Sequence, residues 1–586
     1  MAVSFPLSLS SFLEGRTEAR ASPLLAKGAP RFNWGVRGAS SPPTLESTPR
    51  RSANYRPNLW DYDTIQSIRT EYTGESYKIR AEDLRQQATL IFEATDDPMA
   101  QMELVDKIER LGIGYLFEDQ IKTVLDAIYT NNIGGSSGND LHAVALRFRI
   151  LREHGYSVSP DVFNPFKDGD GSFITKVSGD VKGMLSLFEA SCIALPGEEL
   201  LDEAKAFTSK HLKAKMYSME PFLREQVHHA LELPRSRRKV RLEARYNIDV
   251  YKGEKERNPI LLELAKLNFN MVQSFHVADL KEVFRWWRDT RLSEKLPFAR
   301  ERTLECFMVS SGVAYEPQYG RSRRDMAKTN ILLTVIDDVY DVYGSIEELE
   351  LFTEAVERWD LKAMESLPEY MKICYMALYN TMNQMAYDSL KEQGCCIIGS
   401  LSKAWAGLCK AYLKEAKWFH SGYKPTLDEY LSNAYTSIAG PLVLIAGYFL
   451  SGERITQEVV DFLEQGPKIV WFCSIILRLT NDMGTSTDEQ ERGDVLKSIQ
   501  CYMQETGASE EQAREHIRDL INDIWKHLHQ ECRTPSPLPK TFIKHALNIA
   551  RSSEFMYQYG DGFGVTSSTT LDHFNSLLFQ PICVDV

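Results

Sequence analysis

None of the ten cysteines of this chain forms a C-x-x-C pair or zinc-like spacing, and the adjacent Cys395 and Cys396 are badly placed to bridge one another. That excludes a disulfide framework or structural zinc site, and ten free thiols in a reducing compartment are expected. Val/Thr alternation is sparse, and no Asn-Gly or Asp-Gly turn separates alternating runs, which excludes a hairpin-built β protein. No apolar run reaches the ~20 residues of a bilayer span. The most apolar stretch, 438–450, is short and contains Gly440-Pro441. Nor is there a basic surplus. The formal net charge is -13, and nucleic-acid affinity rests on neutralising phosphates with a basic face, so that class of partner is excluded. No internal repeat of fixed period occurs.

The 586 residues exceed one simple domain, and their 43% hydrophobic and 25% charged content is ordinary for a soluble globular chain. Residues 1–49 differ from the rest. They are rich in Ser, Pro and Arg, contain no Asp, carry Glu only at Glu14, Glu18 and Glu46, and show no A-x-A cleavage signal. This composition fits an organelle transit peptide better than a secretory signal, with a disordered tail as the alternative.

From Arg56 onward apolar residues recur at spacings of three and four, as in Leu84, Ala88 and Ile91 or Leu104, Ile108 and Leu111. The reading is all-α, in two helical domains, 50–265 and 266–586. Loops are expected at 133–138, 167–171 and 535–539, where Gly, Ser, Asp and Pro cluster. The basic stretch 235–245 reads as a solvated helix face or linker.

Two oxygen-rich clusters stand out. Asp337-Asp338-Val339-Tyr340-Asp341 follows the apolar run 331–336. On an α-helix, Asp337 and Asp341 would share one face a turn apart. Far downstream, Asn481, Thr485 and Glu489 form a second stripe at the same spacing, extended by Arg478 and Arg492. Carboxylates that end an apolar helix cost free energy unless paired or metal-bound. Two facing rows of hard oxygens suit Mg2+ ions that keep some waters and take phosphate oxygens as remaining ligands. A phosphorylated substrate is implied. Upstream, Arg300-Glu301-Arg302 is either a surface ion-pair network or a set of guanidinium forks for a diphosphate.

With these residues in view, the chain from about Arg50 to its C-terminus resembles plant class I terpene synthases of the monoterpene type. The resemblance rests on the DDVYD run, the Asn481/Thr485/Glu489 triad, Arg300-Glu301-Arg302 and the tandem Arg50-Arg51 followed by Trp60. It also rests on Arg492-Gly493-Asp494-Val495 and the segment 498–503. It implies an N-terminal helical domain without its own chemistry and a C-terminal α-bundle of the class I terpenoid synthase type. It further implies that Asp337 and Asp341, with Asp338 in support, bind two Mg2+ ions, and that Asn481, Thr485 and Glu489 bind a third, with Mn2+ as a possible substitute. Arg300, Arg478 and Lys497 would bind the diphosphate of a prenyl substrate, and Arg302 would support them in catalysis. Arg50-Arg51 would fold over the closed mouth. Geranyl diphosphate is the expected substrate, a monomer the expected state and the plastid stroma the expected location.

A cation left by diphosphate departure needs an apolar, aromatic-lined cavity. Candidate linings are Trp287, Tyr315, Tyr435, Tyr557 and Phe563. Ser437, Gly440 and Pro441 mark either a helix break with cation-facing carbonyls or a simple kink. Where the family usually has a tryptophan this chain has Val309, which keeps acyclic products open beside cyclic ones. Asn330 either steers a water or serves packing. Farnesyl or dimethylallyl diphosphate remains an alternative substrate, and a helical scaffold with incidental acidic faces the non-enzyme alternative. A chain-elongating prenyltransferase would carry two Asp-rich clusters, and a protonation-initiated cyclase an Asp-x-Asp-Asp acid that the N-terminal half lacks.

Overall fold

Short polar side chains set most helix starts by accepting from first-turn amides. Asp97, Asp140 and Asp180 cap the helices Pro98–Arg110, Leu141–Glu153 and Val181–Ser191. Asn258 caps Pro259–Thr290, with Pro at the first position, where no amide partner is needed. Ser345 with Glu348 and Thr426 with Glu429 form reciprocal capping boxes on Ile346–Arg358 and Leu427–Ser437. Gly394 and Gly422 end Glu369–Gln393 and Ile398–Ser421 in the left-handed conformation. The computed structural model describes residues 50–130, 140–169, 173, 179–492, 495–564 and 567–584, excepting the side chains of 487–492. Among the described residues the only β feature is one isolated bridge, Lys167 to Phe173, so the fold is all-α as expected. The expected transit segment, residues 1–49, lies outside the described residues.

Residues 50–586 form one compact unit. The largest core is continuous from Ile65 on the first helix to Ile582 near the C-terminus. Two smaller cores lie among the helices between Leu141 and Glu232. The expected division at 265/266 falls inside the unbroken 32-residue helix Pro259–Thr290. That helix packs on Glu75–Ala94 from the earlier group of helices and on Thr303–Val313 and Gly320–Asp338 from the later one. Apolar periodicity marks both groups of helices but does not reveal that one helix serves both. Leu427–Ser437 and Gly440–Leu450 are together long and apolar enough to cross a membrane, but Ala439 (φ 64) breaks them and most of the stretch is buried against other helices. All ten cysteines are free.

The basic stretch 235–245 begins as the connection between the helices Pro221–Glu232 and Val240–Gly253, as the linker reading expects, but it is not a solvated face. Arg237, Arg238, Lys239 and Arg241 are at most 8% exposed. They reach carbonyls on both sides: Arg238 donates to Leu233 O (2.8 Å), Lys239 to Met308 O (2.6 Å) and Arg241 to Phe269 O (3.0 Å). Composition displays the charge but not the distant carbonyls that receive it. Burial pushes the Lys239 amine down to about 7. Its folded pKa is thus depressed below the unfolded value of 10.5, so between these limits the unfolded chain binds the extra proton and stability rises with pH. His276 and His573, which sense Lys239, are themselves pushed down by burial and titrate below this window. Relative to Lys239→Met, the wild-type protein is expected to gain about 1.4 kcal/mol of unfolding free energy per pH unit between pH 7 and 10. Denaturant unfolding across that range measures it, and parallel curves for the two proteins would refute it.

Candidate active site

The first wall of the site is the C-terminal end of Gly320–Asp338. At Asp338 the α-helix gives way to a π turn, Val339–Tyr343, closed by Gly344 N–H donating to Val339 O at 2.8 Å. The expected regular α-spacing between Asp337 and Asp341 is therefore replaced by a wider turn, a feature frequent at functional sites. Asp337 and Asp341 both line the central cavity. Asp338 does not. It is fully buried; its Oδ2 accepts the Arg300 amide at 2.7 Å, and its Oδ1 lies 3.0 Å from Arg300 Nε. The expectation of a metal role for Asp338 is corrected on this point: its side chain points into the protein and anchors an arginine. Burial pushes Asp338 up to about 6, against the pull of Arg300.

Arg300 lines the cavity and its Nη2 also pairs with Asp337. Burial opposes its charge, but Asp338, Tyr55 and Asp337 together hold it protonated well above its ordinary value. Arg302, two residues on, is turned away. Its Nε donates to Phe563 O at 2.6 Å and its Nη2 to Arg56 O at 3.1 Å. The expected catalytic role is thus replaced by a clamp that joins two segments of the cavity mouth.

The second wall is Lys468–Arg492. Arg478, Asn481 and Thr485 line the cavity, joined by Lys497 from the start of Ser498–Thr506. The side chains of Glu489 and Arg492 lie outside the described residues. Arg478 Nη1 donates to Asn481 Oδ1 (3.2 Å) and Asp482 Oδ1 (3.3 Å). Asp482 is fully buried and accepts the Tyr430 hydroxyl (2.9 Å) and the Ser498 amide (3.1 Å). Each wall thus repeats one device: a cavity-facing oxygen side chain (Asp337 or Asn481) followed by a buried aspartate (Asp338 or Asp482) that orients an arginine (Arg300 or Arg478).

Between the walls is a cavity of about 560 Å³. Its lining also includes Val309, Leu333, Val443, Leu477, Ile549 and Met556. Tyr557 and Phe563 line it as expected, whereas Trp287 and Tyr315 are packed in the core and Tyr435 is absent from the lining. Tyr412 and Tyr55 line it without having been anticipated. Tyr55 carries one legible signal, its place four residues after the tandem arginines; Tyr412 carries none. Burial holds the Tyr557 phenol protonated well above its ordinary range. Asn330 lines the cavity and donates to Ser310 Oγ at 3.3 Å, serving both wall and packing. The break at 437–440 is a true interruption, with Ser437 and Ile438 on the cavity surface. Gly440 is required there, because a Cβ would lie 2.1 Å from Ser474 Oγ.

The N-terminal segment runs along the cavity. Ala53, Asn54, Tyr55 and Arg56 line the cavity. Arg50 bonds Glu348 through both terminal nitrogens (2.5 and 2.8 Å) and Tyr343 O (3.1 Å). Arg51 donates to Asp341 O at 3.1 Å and lies over the Phe419 ring. Trp60 packs on Phe579 with ring centroids 5.6 Å apart.

Among the described residues no three His, Cys, Asp or Glu side chains converge into a ready-made metal cage. The cavity offers instead two separated rows of hard oxygens flanked by cations. That donor set suits Mg2+ that retains water and takes phosphate oxygens, and Arg300, Arg478 and Lys497 on the same cavity are cationic groups of the kind that bind phosphate.

Residues 288–527 match the family model "Terpene synthase family, metal binding domain", and residues 59–231 match "Terpene synthase, N-terminal domain". The chain is 51% identical to (-)-alpha-terpineol synthase of Vitis vinifera, with 91% of each chain covered. It is 49% identical to the chloroplastic myrcene synthase of Quercus ilex, covering 91% of this chain and 90% of the relative. A solved limonene synthase bound to 2-fluorolinalyl diphosphate superposes with TM-score 0.89 at 39% identity, covering 91% of this chain and all of that one. The isoprene synthase of grey poplar, in complex with three Mg2+ ions and dimethylallyl-S-thiolodiphosphate, superposes with TM-score 0.83 at 43% identity, covering 90% and 99%.

Proposed function

We propose, from the premise that this chain belongs to the terpene synthase family, that it is a magnesium-dependent monoterpene synthase that ionises geranyl diphosphate. One observation carries the reading: a single cavity is lined by aliphatic and aromatic side chains, by oxygen groups from two helices, by Arg300, Arg478 and Lys497, and by residues 53–56 of the N-terminal segment. Asp337 and Asp341 on one side, and Asn481, Thr485 and Glu489 on the other, would hold Mg2+, or Mn2+ in its place. When bound with diphosphate, the metal supplies Lewis-acid neutralisation of the leaving group.

The chain's own groups do the rest. Arg300, Arg478 and Lys497 donate to the diphosphate, and their fixed charges stabilise the negative charge that concentrates there as the allylic C–O bond breaks. The 50–60 segment excludes water, which would otherwise capture the cation at once. The faces of Tyr412, Tyr557 and Phe563 attract the cation without attacking it, and the aliphatic wall imposes its fold. Proton loss or water capture then gives the monoterpene.

Gas chromatography of products from geranyl, farnesyl and dimethylallyl diphosphates, each supplied separately with Mg2+, tests the substrate. Higher kcat/KM with farnesyl or dimethylallyl diphosphate would overturn the ten-carbon reading. Val309 lines the wall without a ring face, so Val309→Trp is expected either to raise the share of cyclic products several-fold or to block turnover by filling the cavity. An unchanged product profile at an unchanged rate would remove this position from contact with the cation. We also place the mature protein in the plastid, on the composition of residues 1–49 and the chloroplastic relatives. A fluorescent fusion to the full chain that stayed cytosolic would overturn that.

A further inference from the structure

Glu415, on Ile398–Ser421, is 4% exposed and forms part of the cavity wall. A carboxylate in such a wall is costly unless its oxygens are bonded. Its Oε1 accepts the Ser437 hydroxyl at 2.5 Å and the Asn433 amide at 3.1 Å. Asn433 also donates to Ala411 O at 3.0 Å, which ties Leu427–Ser437 to the helix that carries Glu415. Ser437 Oγ in turn accepts from Arg478 Nη2 at 3.4 Å. Arg478 is therefore gripped at both ends: Nη1 by Asn481 and Asp482 of its own helix, Nη2 by a hydroxyl at the last residue before the 437–440 break.

We propose that Glu415 is a positioning residue for diphosphate capture, acting through Ser437 to hold the Arg478 fork and the helix break in one fixed relation. The hydroxyl in between matters. A carboxylate bonded directly to Nη2 would compete with the incoming anion, whereas a neutral oxygen oriented by that carboxylate fixes the guanidinium and yields readily. The inference rests on the reading of Arg478 as a diphosphate ligand.

Titration calorimetry of inorganic diphosphate with Mg2+, together with KM and kcat for geranyl diphosphate, tests it. Ser437→Ala and Glu415→Ala are each expected to weaken diphosphate binding about 10–100-fold, the usual cost of losing an orienting partner. Glu415→Gln keeps the acceptor oxygen and is expected to restore most of the affinity. Wild-type affinity in both alanine variants would overturn the proposal, and so would a Gln variant as weak as Glu415→Ala. If Glu415→Ala does not fold, Ser437→Ala decides, because it breaks the same link without removing the buried acid. Failure of the wild-type protein to bind Mg2+ and diphosphate would sink the reading of the site itself, an outcome distinct from the others.

Discussion

Asp337→Ala is expected to lower kcat/KM by on the order of 10³-fold or more while leaving the melting temperature nearly unchanged. Removing one preorganised group aimed at developing charge costs 10²–10³-fold in rate, and here the group lost is also a proposed metal ligand. The stability side follows from exposure. The Asp337 and Arg300 side chains are 23% and 20% exposed, and Arg300 keeps its bonds to Asp338 when Asp337 is cut back. A partly exposed ion pair is worth about 1 kcal/mol or less. Steady-state kinetics with geranyl diphosphate and a thermal melt read the two halves separately. Turnover within tenfold of wild type would remove Asp337 from the reaction, and a fall of more than about 10 °C would show that it holds the fold instead.

Substitution of the neighbouring residue is expected to cost stability as well. Asp338→Ala is expected to destabilise the protein by about 1–3 kcal/mol, the cost of leaving the Arg300 amide without its acceptor while the guanidinium keeps Asp337, and Asp482→Ala by about 3–5 kcal/mol, the cost of stranding the buried Arg478. Both aspartates are fully buried. Asp338 holds Arg300 by side chain and amide; Asp482 holds Arg478, the Tyr430 hydroxyl and the amide that opens Ser498–Thr506. From the sequence, Asp338→Ala would abolish activity at little structural cost, since a metal-facing carboxylate does not pack a core. The structure predicts loss of both. Denaturant unfolding of Asp337→Ala beside Asp338→Ala makes the comparison clean. Equal stability in the two variants would show that Asp338 faces the metals and not Arg300.

Much of this molecule was legible from spacing. Apolar residues at three and four identify the helices, because side-chain direction on a helix is a local property. The oxygen rows at 337–341 and 481–489 point to magnesium and diphosphate chemistry because carboxylates that end an apolar helix cost free energy unless paired or metal-bound, and a second oxygen row accompanies them. Gly440-Pro441 marks a break for an equally local reason: Pro opens a helix readily but interrupts one from within. The π turn at 339–343 carries no such mark, although Asp337 and Asp341 both face the cavity as their spacing expects.

The sequence by itself determined that this chain is helical, where its two oxygen-rich segments lie, and which family it resembles; each rests on short local patterns, or on their order along the chain, that no folding is needed to reveal. Tertiary structure alone decided which of two adjacent aspartates meets the cavity and which is buried. It also decided that Arg300 faces the site while Arg302 grips Phe563, 261 residues away, and that the charges of 235–245 lie inside. Those outcomes turn on partners brought together only by folding. A charged side chain goes wherever its burial is compensated, and no rule of spacing states where that compensating group will be.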